Sequence, residues 1–275
     1  MVSHNSLSHK EIEKACGGAC ARRLWIFAER LQQVPLQLVH FGWVILFFWD
    51  RNSTIDQSIE RLLVLLKSSP QGAVFNPWWQ VDAANDIGRQ APAIRREQLR
   101  AYLSDRIGKA QLVLIGEALG YRGGHFTGIA MTSERILLGG NSEVAPDDVF
   151  SEIKPQQTSK LEKAPHGFSE PTASIVWSTL LRLGMRGDEF VLWNVFPWHS
   201  FASRLGMLSN RRPTYVEVAA SAPVLRAFLS LFSGTRVIGV GRLAGSQLPS
   251  AACVRHPASG GAVVFRRQIR SLLGA

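Results

Sequence analysis

The stretch Leu112-Val113-Leu114-Ile115, which runs into Gly116-Glu117-Ala118-Leu119-Gly120 (LVLIGEALG), indicates the fold class. Four consecutive apolar residues are typical of a short strand buried on both faces, and the glycine-rich segment after them is typical of a loop. Three more runs have the same form, each ending in a segment of unusual polar or glycine residues: Phe190–Trp193, Val237–Val240 and Ala251–Val254. These four runs predict four buried strands.

Helical patterns separate the predicted strands. Ser53 or Thr54 can cap a helix whose apolar face is spaced at helical intervals; that face is Ile55, Ile59, Leu62, Leu63 and Leu66. Further helices are predicted at about Ala93–Ile107, Thr172–Leu183, Tyr215–Phe232 and Gly261–Leu273. The alternation predicts an α/β fold, a three-layer α/β/α sandwich around a short, mostly parallel four-stranded sheet. Ligands of such sheets bind at the carboxyl ends of the strands.

The first part of the chain differs from the rest. We predict an extension over residues 1–52 and one domain over residues 53–275. The apolar run Val34–Trp49 is interrupted by polar residues and proline, and it is shorter than the roughly 20 apolar residues that span a membrane. A peripheral membrane anchor is the alternative interpretation of this run.

The composition is that of a globular protein, with 46% hydrophobic and 19% charged residues. Its three cysteines are too few for a disulfide framework or a four-cysteine metal site, and no histidine-rich spacing completes one. We therefore expect no metal and no cofactor, and a reducing cytoplasm as the compartment.

Positive charge is concentrated toward the end of the chain. The net charge is +10, and the segment from Arg204 onward contains ten arginines, no lysine and one acid, Glu217. Arginine contacts to phosphates supply much of the affinity of proteins for nucleic acids. A polyanionic partner and a merely solvated basic face are both compatible with this charge.

Glycines dominate the segment Gly116–Gly124, here called the first motif. Its glycines would let backbone N–H groups approach a ligand closely, and Glu117 places a carboxylate at the end of a strand. By itself the segment is also typical of a phosphate-binding loop or a simple turn. It matches neither the Walker pattern nor G-x-G-x-x-G.

Two polar residues follow other strands. Asn194 can present a donor and an acceptor side by side, which complements uracil O4 and N3–H and mismatches cytosine. His256 stands between a buried strand and Pro257, where it could donate a hydrogen bond to developing negative charge. Taken singly, a residue of either kind is more often structural.

Taken together, these segments resemble the uracil-DNA glycosylase superfamily. Its members have a first motif G-Q-D-P-Y or G-E-A-P-G, then an asparagine that reads uracil, then a final H-P-S or H-P-A motif. This chain has GEALG, Asn194 and HPASGG in the same order. The resemblance covers about Phe75 to the carboxyl terminus and is nearest to bacterial members with G-E-A-x-G-Y-x-G-x-x-F-x-G-I, here Gly116 to Ile129. The iron–sulfur branch needs four cysteines, so no cluster is expected.

The resemblance implies a role for each matched position. Glu117 and His256 would be catalytic, and Asn194 would read the base. Ala118 replaces an aspartate that handles the attacking water in the best-known branch, and Leu119 replaces a proline.

Three further positions concern the shape of the base pocket. Gly120 stands where the best-known branch has the tyrosine that excludes the methyl group of thymine, and Tyr121 is the expected substitute. Met131 stands in the place of the phenylalanine that stacks on uracil; a thioether can pack on a base, and Phe126 is the alternative stacking residue. Gly116 would complete the base contacts, and four residues would contact the DNA: Arg122, Arg255, Ser259 and Gly260.

The function implied is monofunctional hydrolysis of the N-glycosidic bond of deoxyuridine in DNA, by a monomer with no obligatory protein partner. A non-catalytic nucleic-acid-binding relative of the same fold is the alternative. A hydrolase that uses Ser259 or Ser133 as its nucleophile is disfavoured because neither serine lies in G-x-S-x-G.

Overall fold

Strands and helices alternate along the chain in the computed structural model, which describes residues 54–274. The strands are β1 (Val74–Phe75), β2 (Leu112–Ala118), β3 (Phe190–Phe196), β4 (His199–Ser200), β5 (Arg236–Val240) and β6 (Ala252–Val254). The helices are α1 (residues 54–66), α2 (Ala91–Ser104), α3 (Gly124–Thr127), α4 (Glu134–Leu137), α5 (Pro146–Val149), α6 (Pro171–Arg182), α7 (Tyr215–Leu231), α8 (Arg242–Gln247) and α9 (Ala262–Leu273).

The central sheet has four strands in the order β3-β2-β5-β6, and every neighbouring pair is parallel. Helices flank it, which confirms the three-layer α/β/α sandwich predicted from the sequence. A separate antiparallel pair, β1 with β4, lies outside this sheet. The sheet is therefore wholly parallel, and all four of its carboxyl ends meet at one edge.

Two strands are longer than their apolar runs predict. β2 continues through Gly116, Glu117 and Ala118, and β3 continues through Asn194 to Phe196. The prediction that these residues lie in loops was wrong because the two strands keep pairing, with Gly116 opposite Asn194 and Ala118 opposite Phe196. Pairing of the backbones holds these side chains more rigidly than a loop would.

The core lies on both faces of β2 and β3. All seven residues of β3 are buried, and the Trp193 ring stacks on Phe228 of α7 with 4.5 Å between centroids. The apolar face predicted for α1 is confirmed, since four of its five residues are at most 1% exposed: Ile59, Leu62, Leu63 and Leu66. Burial of each such side chain contributes about 1.5–3 kcal/mol.

Glu134 fixes the irregular segment that leads to α6. This buried carboxylate accepts hydrogen bonds from the backbone N–H groups of Thr158, Ser159 and Phe168, at 2.7, 2.9 and 3.2 Å. Such charge-assisted bonds are stronger than bonds between neutral groups. The position of Glu170, two residues beyond Phe168, is set in this way.

The sequence prediction for residues 1–52, including the apolar run Val34–Trp49, falls outside the described residues. Within residues 54–274 the structure contains no helix that is both long enough and apolar enough for a transmembrane span.

Candidate functional site

The polar residues singled out in the sequence meet at the carboxyl edge of the sheet. Asn194 of β3 is opposite Gly116 of β2, and Glu117 follows on the same strand. Gly241 comes directly after β5, and His256 comes two residues after β6. Because the strand order is β3-β2-β5-β6, these residues lie along the edge in the order Asn194, Glu117, Gly241, His256.

Gly116, Met131 and Asn194 form one contact group, here called the candidate base pocket. A Cβ atom on Gly116 would lie 2.5 Å from Asn194 Oδ1 and 3.3 Å from Met131 Sδ, so only glycine fits. Met131 has a φ of 48°, a left-handed conformation that costs a residue with a side chain of order 1 kcal/mol. The chain keeps this strained backbone where the methionine side chain reaches Gly116.

The Asn194 amide has no hydrogen-bond partner among residues 54–274. The residue is 1% exposed, and both Oδ1 and Nδ2 are buried and unpaired. A buried polar group without a partner costs about 1–3 kcal/mol, so such a group is normally completed by a water molecule, an ion or a ligand. A planar ligand with adjacent donor and acceptor atoms would pair with both ends of this amide.

Glu117 contacts the start of α8. Its Oε1 accepts a hydrogen bond from Leu243 N–H at 3.0 Å, and a Cβ atom on Gly241 would lie only 2.5 Å from the same oxygen. The carboxylate is stabilised there because unpaired N–H groups at a helix start carry partial positive charge. Oε2 forms no hydrogen bond with any other described residue, so it is the oxygen that could bind water.

His256 is held in one tautomer by its own loop. Nδ1 accepts a hydrogen bond from Ala258 N–H at 3.1 Å, so in the neutral ring the proton is on Nε2. Burial lowers the pKa of His256 below its usual value of 6.5, and Arg255 lowers it further, against an opposing effect of Glu117. At neutral pH the ring is therefore an uncharged donor through Nε2.

The loop around His256 is tightly folded. A side chain at Gly261 would collide with the His256 carbonyl oxygen, so glycine is required there. Ser259 and Gly260 have φ angles of 52° and 76°, and both are exposed. The sequence-predicted DNA contacts of this loop are thus on the surface, where a duplex could reach them.

The outer half of the first motif contacts residues that the sequence patterns did not single out. Tyr121 N–H donates to Asn210 Oδ1 at 3.0 Å, and the Tyr121 hydroxyl accepts from Arg122 Nε at 2.9 Å. Gly120 lies against Glu170, since a Cβ atom on Gly120 would be 2.8 Å from Glu170 Oε1. In the sequence, Glu170 precedes Pro171, and this pair indicates only the start of a helix. Nothing in the sequence around Asn210 indicates a site residue.

A buried histidine supports the segment that presents Asn210. His199 Nε2 donates to the Ser209 carbonyl at 2.8 Å, and its Nδ1 lies 2.9 Å from Nδ1 of His125. Burial lowers the pKa of His199 to about 4. The ring is therefore neutral at physiological pH, and it links β4 to His125 of α3.

Two predicted base-contacting residues are buried in the core and not in the candidate base pocket. Phe126 is fully buried, with its ring stacked on Phe168 at 4.5 Å and edge-on to His125 at 4.3 Å. Leu119 is 4% exposed and packs on Gly124 in the core. Met131, and not Phe126, is the residue that reaches Gly116. Ala118, half-buried, is at the end of β2.

The predicted DNA-contacting arginines, Arg122 and Arg255, are exposed. Of the ten arginines from Arg204 onward, Arg211 is paired with both carboxylate oxygens of Glu217, at 2.6 and 2.7 Å. The other nine are exposed, and none forms an ion pair within the described range. These side chains are available to phosphates.

Within residues 54–274, no three histidine, cysteine, aspartate or glutamate side chains cluster as metal ligands would. A cavity lined by Leu229, Arg236 and Leu248 lies at the opposite, amino-terminal edge of the sheet. It is therefore separate from the carboxyl-edge residues described above.

Comparison with known proteins identifies a fold relative. The chain is similar in fold to SMUG2 from Pedobacter heparinus. Against the crystal structure of that wild-type protein, the TM-score is 0.51 at 13% sequence identity, over 80% of this chain and 97% of the other. No protein-family model and no curated protein sequence matches the chain. At this level of identity, the similarity shows the fold alone.

Proposed function

We propose that this protein is a monofunctional DNA glycosylase that hydrolyses the N-glycosidic bond of deoxyuridine, releasing uracil and leaving an abasic site. The observation that carries the proposal is the buried, unpaired amide of Asn194, which lies against Gly116, as Met131 also does. The motif resemblance to uracil-DNA glycosylases supports it, and so does the fold similarity to SMUG2.

Asn194 would select the base. Its Nδ2 would donate to uracil O4 and its Oδ1 would accept from N3–H, so both unpaired atoms of the amide would gain a partner. Cytosine presents the opposite pattern and would leave donor facing donor and acceptor facing acceptor. Met131 would pack on the face of the base through its thioether.

His256 would stabilise the leaving group. As the glycosidic bond stretches, negative charge develops on uracil O2, and the neutral Nε2–H of His256 can donate to it. A donor already held in place needs no reorganisation during the reaction, and one such donor typically lowers the barrier by about 3–4 kcal/mol. Backbone N–H groups of the first motif would add to this effect.

Glu117 would act on the other side of the breaking bond. Its Oε1 is held by the start of α8, which leaves Oε2 to position a water molecule and to offset the positive charge of the sugar. The three motif segments contain no lysine, so a Schiff-base lyase reaction is disfavoured.

DNA is the partner that this mechanism requires. The target nucleotide must leave the base stack, at a cost of about a few kcal/mol, and contacts between the protein and the phosphates of the DNA must offset that cost. The nine exposed arginines without ion pairs supply positive charge for such contacts.

The test is release of free base from matched oligonucleotides that contain one uracil, hypoxanthine or mismatched thymine. We expect uracil release by the wild-type chain and loss of it in Asn194→Ala, with DNA affinity largely retained. DNA binding without release of any base would contradict the proposal and favour a non-catalytic nucleic-acid-binding protein.

A further inference from the structure

Glu170 lies against the first motif although it is about 50 residues away in the sequence. Its carboxyl group covers two glycines: a Cβ atom on Gly120 would lie 2.8 Å from Oε1, and one on Gly123 would collide with Oε2. The glutamate thus occupies the space that side chains at both positions would need. Larger residues at 120 or 123 would displace it.

The carboxyl group of Glu170 has no partner within residues 54–274. Oε2 is buried and accepts no hydrogen bond, although the residue as a whole keeps some exposed surface. Burial raises the pKa of Glu170 to about 7. A buried carboxyl group without hydrogen bonds destabilises the folded chain, which calls for an explanation at this position.

Helix capping does not supply that explanation. Glu170 is the residue before α6, yet its side chain makes no hydrogen bond to the helix start, and Pro171 occupies the first position of the helix. The side chain extends instead toward Gly120 and Gly123. Its position serves the first motif rather than α6.

The surroundings connect this carboxyl group to the candidate base pocket. The Cβ position of Gly123 is 3.3 Å from the Thr132 carbonyl oxygen, and Thr132 directly follows Met131. Gly120 lies two residues after the end of β2, the strand that contains Gly116. Glu170 is therefore between the first motif and the segment that carries Met131.

We propose that Glu170 determines specificity at this site, by contacting the C5 edge of the base held by Asn194 and excluding a methyl group there. The inference rests on the proposed function. Uracil presents only a small C–H group at C5, whereas the methyl group of thymine would overlap the carboxyl group and bury it further. Tyr121 is less suited, since its hydroxyl is bound by Arg122 on the outer part of the motif.

The experiment compares thymine and uracil release from otherwise identical single-stranded oligonucleotides. Glu170→Ala should raise the ratio of thymine to uracil kcat/KM by about tenfold or more, the usual effect of one methyl-sized contact. Glu170→Gln, which keeps the volume, should retain exclusion, and Glu170→Asp should be intermediate. Glu162→Ala, at an exposed acid on the same segment, is the matched control and should leave the ratio unchanged.

The outcomes separate this inference from the proposed function. If uracil release persists in Glu170→Ala with an unchanged thymine-to-uracil ratio, Glu170 has no part in specificity and the inference is overturned, while the proposed function stands. If neither wild type nor any variant releases uracil, the proposed function fails and the inference fails with it. Thermal unfolding of each variant checks that the ratios come from folded protein. If Glu170→Ala does not fold, the thymine-to-uracil ratio of Glu170→Asp tests the same inference.

Discussion

Two equally buried asparagines allow a sharp test of the role of Asn194. Asn194 and Asn76 are each 1% exposed, but their hydrogen bonds differ. Asn76 Nδ2 donates to the Leu66 carbonyl at 2.8 Å, and its Oδ1 accepts from Trp78 N–H at 3.2 Å. Asn194 makes no hydrogen bond to any other residue in the described range. Replacement of each by alanine should therefore affect different properties of the protein.

The expected magnitudes follow from these bonds. Asn76→Ala removes these two hydrogen bonds, worth about 1 kcal/mol each, and a longer one from Nδ2 to the Lys67 carbonyl at 3.5 Å. It also leaves the buried Trp78 N–H unpaired, so it should lower the free energy of unfolding by about 2–3 kcal/mol. For a domain of this size, that corresponds to a decrease in Tm of about 4–12 °C. Asn194→Ala loses no protein hydrogen bond and relieves an unpaired amide, so we expect a change within about 1 kcal/mol.

Activity should show the reverse order. Asn194→Ala should lower kcat/KM for uracil by about 10²-fold or more because the base loses both polar contacts. Asn76→Ala, assayed well below its Tm, should remain close to wild type. The measurements are thermal or denaturant unfolding and uracil release for both variants. A loss of 2–3 kcal/mol in Asn194→Ala with normal uracil release would refute the reasoning, since it would make Asn194 a structural residue.

Three other predictions concern the site, the surface and the fold. His256→Ala should lower kcat by about 10²-fold or more while DNA affinity changes little, because the donor acts mainly in the transition state; near-wild-type turnover would remove His256 from the mechanism. The logarithm of DNA affinity should fall by about 0.7–0.9 per phosphate contact for each tenfold rise in salt concentration. Arg122→Ala or Arg255→Ala should each reduce that slope by about one contact, whereas Arg226→Ala on α7 should leave it unchanged. An affinity that does not depend on salt would count against DNA as substrate. The pKa of His199 falls from 6.5 to about 4 on folding, so its contribution to stability is complete above pH 6.5 and decreases by about 1.4 kcal/mol per pH unit as the pH falls toward 4. Denaturant unfolding at several pH values should therefore show that the free energy of unfolding of His199→Gln depends less steeply on pH than that of the wild type. The same dependence in both proteins would contradict the assignment.

The sequence by itself determined the elements and the fold class. Each short apolar run became a strand, and runs such as Leu112–Ile115 are buried because burial on both faces leaves a continuous hydrophobic signal in the chain. The prediction of a buried strand was wrong for β6, which lies at the edge of the sheet with Ala252 and Cys253 exposed. Helical spacing likewise located α1 and α7 to within one or two residues of their ends. The parallel sheet followed from the alternation of the two patterns, and with it the edge where Asn194 and His256 lie.

Strand ends were decided by the tertiary structure. Gly116 and Asn194 have poor strand propensity, and nothing local predicts that they belong to β2 and β3. They are in strands because each completes the other's pairing across about 80 residues of chain. Pairing of this kind depends on the partner strand, which a local pattern does not contain.

The shape of the site was also decided by tertiary contacts. Between two candidate stacking residues five positions apart, the fold places Met131 against Gly116 and buries Phe126 against Phe168. It also brings Glu170 to Gly120, a contact that no pattern in the sequence predicts. Local patterns reflect burial and backbone preference over a few residues, whereas the partners of a side chain are set by which distant segments the packed core brings together.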